Sequence, residues 1–194
     1  MITCRLRFPE LLHLHDPAAA QHVVHFYEDD AFVVGNVSYF AGQALMADSS
    51  VLIVGTDAHN GQISDHLKGF GLSPENFAER GRYVALDSAE TPSQFMIGEQ
   101  PDAAGFERVV ARAIRDAAKH SGNDFVFVFG EMVALLCADD NPDAAVRLEQ
   151  LWNALAERQP FSLYCAYATS CLDKTANLDA LTQICAEHAL TVPA

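Results

Sequence analysis

The chain has 194 residues, half of them apolar, enough to bury a core of ordinary size in one domain. Its formal net charge is −14, with 12 basic against 26 acidic residues, and no segment is basic enough to track phosphates, so direct nucleic-acid binding is not expected. No apolar run approaches the roughly 18 residues of a membrane span, the start lacks the layout of a secretory signal, and the five cysteines are scattered without a C-x-x-C pair. A cytoplasmic chain with reduced thiols is the expectation.

Residues 1–19, broken by Pro9, Asp16 and Pro17, read as an arm ahead of a single domain over 20–194. His13 and His15 have the spacing of a chelating pair but no third ligand nearby, so no metal site is assigned. Gln21 to Tyr27 reads as a first strand, with His25 and Tyr27 on one side of it because side chains alternate. Two polar groups on an apolar strand either satisfy each other in the core or line a cavity. Acids at Glu28, Asp29 and Asp30 open a helix whose apolar face runs from Phe32 to about Met46. Val51 to Val54 is a second buried strand, followed by a helix through Lys68, a short helix capped by Ser73-Pro74-Glu75, and a third strand over Arg82 to Asp87. Residues 88–104 lack a clear period and read either as a functional loop, a lid or contact surface, or as a partly helical excursion. Phe106 to His120 is a helix with a stripe of Arg108, Arg112, Arg115 and Lys119, read as a solvated face.

Asp124 to Phe129 is an apolar run too short for a helix, the pattern of a strand covered on both faces in a parallel sheet. It ends in Gly130-Glu131-Met132, which puts a carboxylate just past the carboxyl end of a central strand, where open α/β sheets bind ligands. After a short loop, Asn141-Pro142-Asp143 starts a helix with Ala145, Leu148, Leu151, Trp152 and Leu155 inward. Phe161 to Ala168 returns as a strand, and Leu172 to His188 is read as a closing helix with Leu178, Leu181, Ile184 and Cys185 inward. The alternation predicts an α/β fold, a mostly parallel central sheet of five or more strands flanked by helices.

The place for a phosphate loop, Gly55-Thr56-Asp57-Ala58-His59-Asn60-Gly61-Gln62-Ile63, is one residue too long, has Gln62 in place of the lysine, and carries Asp57, which would repel phosphate. Ordinary ATP hydrolysis is not expected, and no nucleophile elbow is present. Glu131 and Glu149 are candidates to face each other across the strand–helix turn, with an ion pair to Arg147 or Arg112 as the alternative. Cys165 reads as a small buried hydrophobe.

The blocks His22-Val-Val-His25-Phe26-Tyr27, Gly130-Glu131-Met132 with Leu135-Leu136, Arg147-Leu148-Glu149-x-x-Trp152-Asn153 and Phe161-Ser-Leu-Tyr-Cys165-Ala166-Tyr167 together resemble the MEDS domain, over about residues 20 to 172. That resemblance implies a RecA-like three-layer sandwich related to circadian-clock ATPases but without the phosphate loop. It also implies a non-enzymatic sensory domain for a small molecule, such as a hydrocarbon derivative, with no catalytic residue, no cofactor and no metal. His25, Tyr27, Glu131, Glu149 and Tyr167 become the candidate ligand-binding or framework residues. No kinase core, helix-turn-helix or receiver domain follows the matched blocks within the chain, so a signalling partner such as a histidine kinase or a transcriptional regulator is expected, with a homodimer covering sheet edges as a further expectation. The competing readings are a degenerate ATPase-fold module that docks a regulator and a residual nucleotide-binding protein.

Overall fold

The computed structural model describes residues 21–169 and 178–193. The predicted arm, His13, His15 and the predicted start of the closing helix at 172–177 lie outside them.

Six strands form the central sheet: β1 (His22–Tyr27), β2 (Ser50–Gly55), β3 (Tyr83–Asp87), β6 (Val126–Gly130), β7 (Phe161–Ala168) and β8 (Leu190–Val192). They lie in the order β3-β2-β6-β7-β1-β8, and every neighbouring pair is parallel. From β2 the chain moves outward to β3, whereas from β6 it moves the opposite way to β7. The crevice beyond the carboxyl ends of β2 and β6 is therefore the topological switch point, the preferred ligand position in an open α/β sheet.

The sheet is apolar on both faces because helices cover both. Val23, Ile53, Phe127, Phe129 and Tyr164 pack under α1 (Asp30–Met46) and α2 (Asp57–Gly69). On the opposite face, Val24, Leu52, Val128, Leu163 and Cys165 share a core with Met132 of α6 (Met132–Ala138), Leu148 and Trp152 of α7 (Pro142–Ala156) and Ile184 of α8 (Leu178–Ala186). The caps follow the residue chemistry: Asp29 accepts from the Ala31 amide, Thr56 from His59, Ser73 from Asn76 at the start of α3 (Pro74–Glu79), and Asn141 from Ala144 with Pro142 at the first turn.

Several expectations change. The central strand starts at Val126, because Asp124 adopts a left-handed turn (φ 57°). The short loop predicted before Asn141 is helix α6, closed by Asp140 at φ 59°. Its uniformly apolar residues show no helical period, since it is buried on several sides. The expected lid at 88–104 holds a 3-10 turn (Thr91–Gln94) and a small hairpin of β4 (Met96–Ile97) and β5 (Gln100–Pro101). It is pinned to the domain by buried Phe95, edge-to-face with Phe106, and by a hydrogen bond from Asn141 Nδ2 to Glu99 O. The helix after it runs through α4 (Ala103–Phe106), a π-helical turn (Glu107–Ala111) and α5 (Arg112–Ala118). The basic stripe on it is a solvated face: Arg112 and Lys119 pair with Asp116, and Arg115 with Glu107. Strand β8 was not predicted; it is three residues long and pairs with β1.

Candidate functional site

At the switch point β2 ends at Gly55 and β6 at Gly130, so Thr56 and Glu131 meet across the crevice. The Thr56 amide donates to Glu131 Oε2 (2.9 Å), and the Glu131 amide donates to Val54 O (3.0 Å). The other carboxylate oxygen, Oε1, takes a 2.6 Å hydrogen bond from His59 Nδ1, one turn into α2. The far nitrogen of that ring, Nε2, stands 3.9 Å from Asp30 Oδ2 at the start of α1. The hydrogen bond with Glu131 raises the His59 pKa above its ordinary value and outweighs the effect of burial. Gly55 leaves room for these groups: a Cβ on it would sit 2.9 Å from Asn60 Oδ1 and 3.2 Å from Glu131 Oε2 and press both side chains aside. Asn60 in turn locks the turn by donating to Gly55 O and Leu86 O, both at 3.0 Å.

Asp30, Thr56, His59 and Glu131 line a cavity of about 270 Å³ together with Tyr27, Ala58, Ala134, Leu135, Ala138 and Ala168. Its walls are small and apolar, and its polar groups converge from β1, α1, α2 and the end of β6. None of residues 88–104 lines it, so the predicted lid does not border this site. Tyr27 is shared with a neighbouring, more open cavity of about 290 Å³ that His25 lines together with Phe32 and Asp29.

His25 is buried, hydrogen-bonded through Nδ1 to the Tyr164 hydroxyl and edge-on to Phe32. Burial lowers its pKa to about 4. Between pH 6.5 and 4 the unfolded chain therefore takes up a proton that the folded chain refuses, so stability falls as pH drops through that window and levels off below it. Replacing His25 by Phe is expected to flatten that part of the pH dependence by about 2 kcal/mol, allowing for residual screening around the ring. Urea midpoints from pH 7 to pH 4 for both proteins measure this, and parallel curves would refute it.

Glu149 and Tyr167 are not part of this site. Glu149 lies on the buried side of α7, over the opposite sheet face, and the predicted meeting of Glu131 with Glu149 does not occur. Nor does the arginine pairing. Glu149 accepts from the Tyr167 hydroxyl (2.9 Å) and faces His22 Nε2 (3.2 Å) and His188 Nε2 (3.4 Å). Burial alone would push the Glu149 carboxyl up, but His188 and His22 outweigh it and hold it well below the usual carboxylate range. Cys165 is buried as expected, yet it touches this cluster, and burial together with Glu149 raises its thiol pKa.

The family model of the MEthanogen/methylotroph, DcmR Sensory domain matches residues 21–188. The chain belongs to the MEDS family. Both clusters fall within the matched residues of this MEDS domain. Flagellar accessory protein FlaH from Methanocaldococcus jannaschii has a similar crystal structure (TM-score 0.55, 12% identity, covering 90% of this chain and 70% of that one), a likeness of fold that fits a RecA-like three-layer sandwich. A 1-deoxy-D-xylulose 5-phosphate reductoisomerase of Rhodospirillum centenum is 30% identical over 112 residues. The match spans 58% of the MEDS chain and only 25% of that enzyme. Among the described residues no helix is long and apolar enough to cross a membrane.

Sequence reasoning placed Tyr27 and Glu131 together but missed His59, Thr56 and Asp30 as their partners, and missed His188 beside Glu149. His59 was legible only as part of a defective phosphate loop. Its spacing to Glu131, 72 positions away, carries no local signal.

Proposed function

We propose that this MEDS domain is a non-enzymatic sensor that binds a small, largely apolar molecule in the switch-point cavity and signals through a partner protein. The observation that carries this reading is the lining of one cavity by the contacting groups Asp30, His59 and Glu131, together with Tyr27, beside walls of alanine and leucine. At about 270 Å³ the cavity is just below the usual range of ligand sites, about 300 to 1,000 Å³, which limits it to a short molecule. A short hydrocarbon derivative with one hydrogen-bonding group fits that division: its apolar body packs on the Ala134, Leu135 and Ala138 wall, and its polar group meets Glu131 or Tyr27. The sensory character of the family supports the same direction.

Nucleotide binding is disfavoured by the same geometry. The amide at the start of α2, which would cradle a phosphate, already serves the Glu131 carboxylate, and Asp57 and Asp30 add negative charge beside it. A signal requires the ligand to favour one of two states of the domain, read by a partner such as a histidine kinase or transcriptional regulator.

Thermal unfolding against short halogenated and methylated carbon compounds, aromatic acids, and ATP with magnesium tests the reading. A binder present at about a thousand times its Kd should stabilise the fold by about 4 kcal/mol. For such a binder, whichever of Glu131→Ala and Tyr27→Phe removes the contacted group is expected to weaken affinity by about 10-fold, the worth of a buried hydrogen bond. Unchanged affinity in both variants would place the ligand elsewhere, and a shift with ATP alone would favour the nucleotide reading.

A further inference from the structure

Four donor atoms from well-separated parts of the chain converge beneath α7. They come from His22 on β1, Glu149 on α7, Cys165 on β7 and His188 between α8 and β8, and all lie within 4.8 Å of one another. Glu149 and Cys165 are fully buried, and the His188 side chain has no exposed surface. Hydrogen bonds outside the cluster determine which ring nitrogens face in. His188 Nδ1 lies 2.6 Å from Ile184 O, a group that only accepts, so Nδ1 carries a proton and Nε2 is the nitrogen turned toward Glu149, where an ion would displace any proton it holds. Asn153 Nδ2 donates to Glu187 O and to Glu187 Oε2 (both 2.8 Å), which turns Asn153 Oδ1 toward His22 Nδ1 at 2.8 Å and orients the His22 ring in the same way. The carboxylate is oriented too, by the Tyr167 hydroxyl on Oε1. Ligand orientation by a surrounding layer of hydrogen bonds is the usual companion of a metal site.

We propose that His22, Glu149, Cys165 and His188 form a four-coordinate site for a divalent first-row transition ion, with zinc the ion best matched to two imidazoles, a thiolate and a carboxylate. The spacing fits. Bonds of about 2.0 to 2.3 Å in a tetrahedron separate the ligand atoms by about 3.3 to 3.8 Å. The separations are 3.2 Å for His22 Nε2 to Glu149 Oε2, 3.5 Å for Cys165 Sγ to His22 Nε2, 3.7 Å for Cys165 Sγ to Glu149 Oε2, and 3.4 Å for His188 Nε2 to Glu149 Oε1. Buried His188 Nε2 faces Glu149 Oε1 at 3.4 Å without forming a well-directed hydrogen bond among the described residues, and a coordinated ion would satisfy both atoms. On coordination Cys165 gives its thiol proton to solvent and binds as thiolate. With four protein ligands the site is closed and structural, and it ties the α8–β8 segment to β1 and β7. This inference is independent of the switch-point cavity, which shares no residue with it.

Cobalt is the probe. The full chain, stripped with chelator and titrated with Co²⁺, is expected to bind one ion per chain, with intense tetrahedral visible bands and a thiolate-to-cobalt charge-transfer band in the near ultraviolet. Cys165→Ser should remove the charge-transfer band, and His188→Gln should weaken binding at least 10-fold, the low end of the effect of losing even a supporting partner. A His13→Ala, His15→Ala double variant should change neither. Zinc should also slow amide exchange across 178–193 in the wild-type chain. A wild-type chain that shows only the pale spectrum of hydrated cobalt overturns the proposal, as does a charge-transfer band that survives in Cys165→Ser.

Discussion

Glu149→Ala is expected to cost about 3 to 5 kcal/mol of folding stability in chelator, where metal coordination contributes nothing. Glu149 is fully buried in the middle of α7 and is the acceptor around which Tyr167, His22 and His188 are arranged. Removing it leaves the Tyr167 hydroxyl and two imidazoles in a dry volume without their common partner, and adds a cavity where the side chain was. Against a total of about 5 to 15 kcal/mol for a domain of ordinary stability, such a loss is large. Glu149→Gln keeps the volume and one acceptor oxygen and should cost clearly less. Urea unfolding followed by the fluorescence of Trp152, the single tryptophan, measures both. A loss below about 1 kcal/mol for Glu149→Ala would mean that the histidines and tyrosine find other partners, and that this carboxylate does not organise the cluster.

Trp152→Ala should cost a comparable 3 to 5 kcal/mol, roughly the range for deleting a large aromatic from a packed core. Trp152 is 1% exposed and meets Phe106 edge-to-face at 5.1 Å and Phe161 at 6.0 Å. Phe106 carries Phe95, which anchors the segment ahead of the β4–β5 hairpin, and Gly105 permits that contact because a Cβ there would lie 2.8 Å from the Phe95 Cβ. Loss of the indole is therefore expected to loosen the hairpin as well as the core. Far-ultraviolet circular dichroism in urea gives the stability, and amide exchange at residues 95–101 reports the hairpin. Unchanged exchange in that segment would show that Asn141 and the local turns hold it without the aromatic stack.

Much of the fold could be read along the chain because its signals are local. The apolar runs ending at Val54, Phe129 and Ala168 are long enough for strands and too short for helices, and the caps at Ser73 and Asn141 mark helix starts that the structure reproduces. The switch-point position of Glu131 was also legible, since it follows from a carboxylate just past a buried strand in a parallel sheet. Helix α6 and strand β8 were not. Met132–Ala138 is apolar on every side and has no period to detect, and Leu190–Val192 becomes a strand only by pairing with β1.

What the sequence by itself determined was therefore the class of fold, the family and the identity of the polar residues placed on buried elements. The partnership of those residues was decided only by tertiary structure. Glu131 belongs with His59, 72 positions earlier, and Glu149 with His22 and His188, on opposite faces of one sheet. Side-chain alternation sends His25 and Tyr27 to one face and Cys165 and Tyr167 to the other, but which helix covers each face depends on strand order. That order is a long-range property, set by burying both faces of the sheet at once, and no local pattern encodes it.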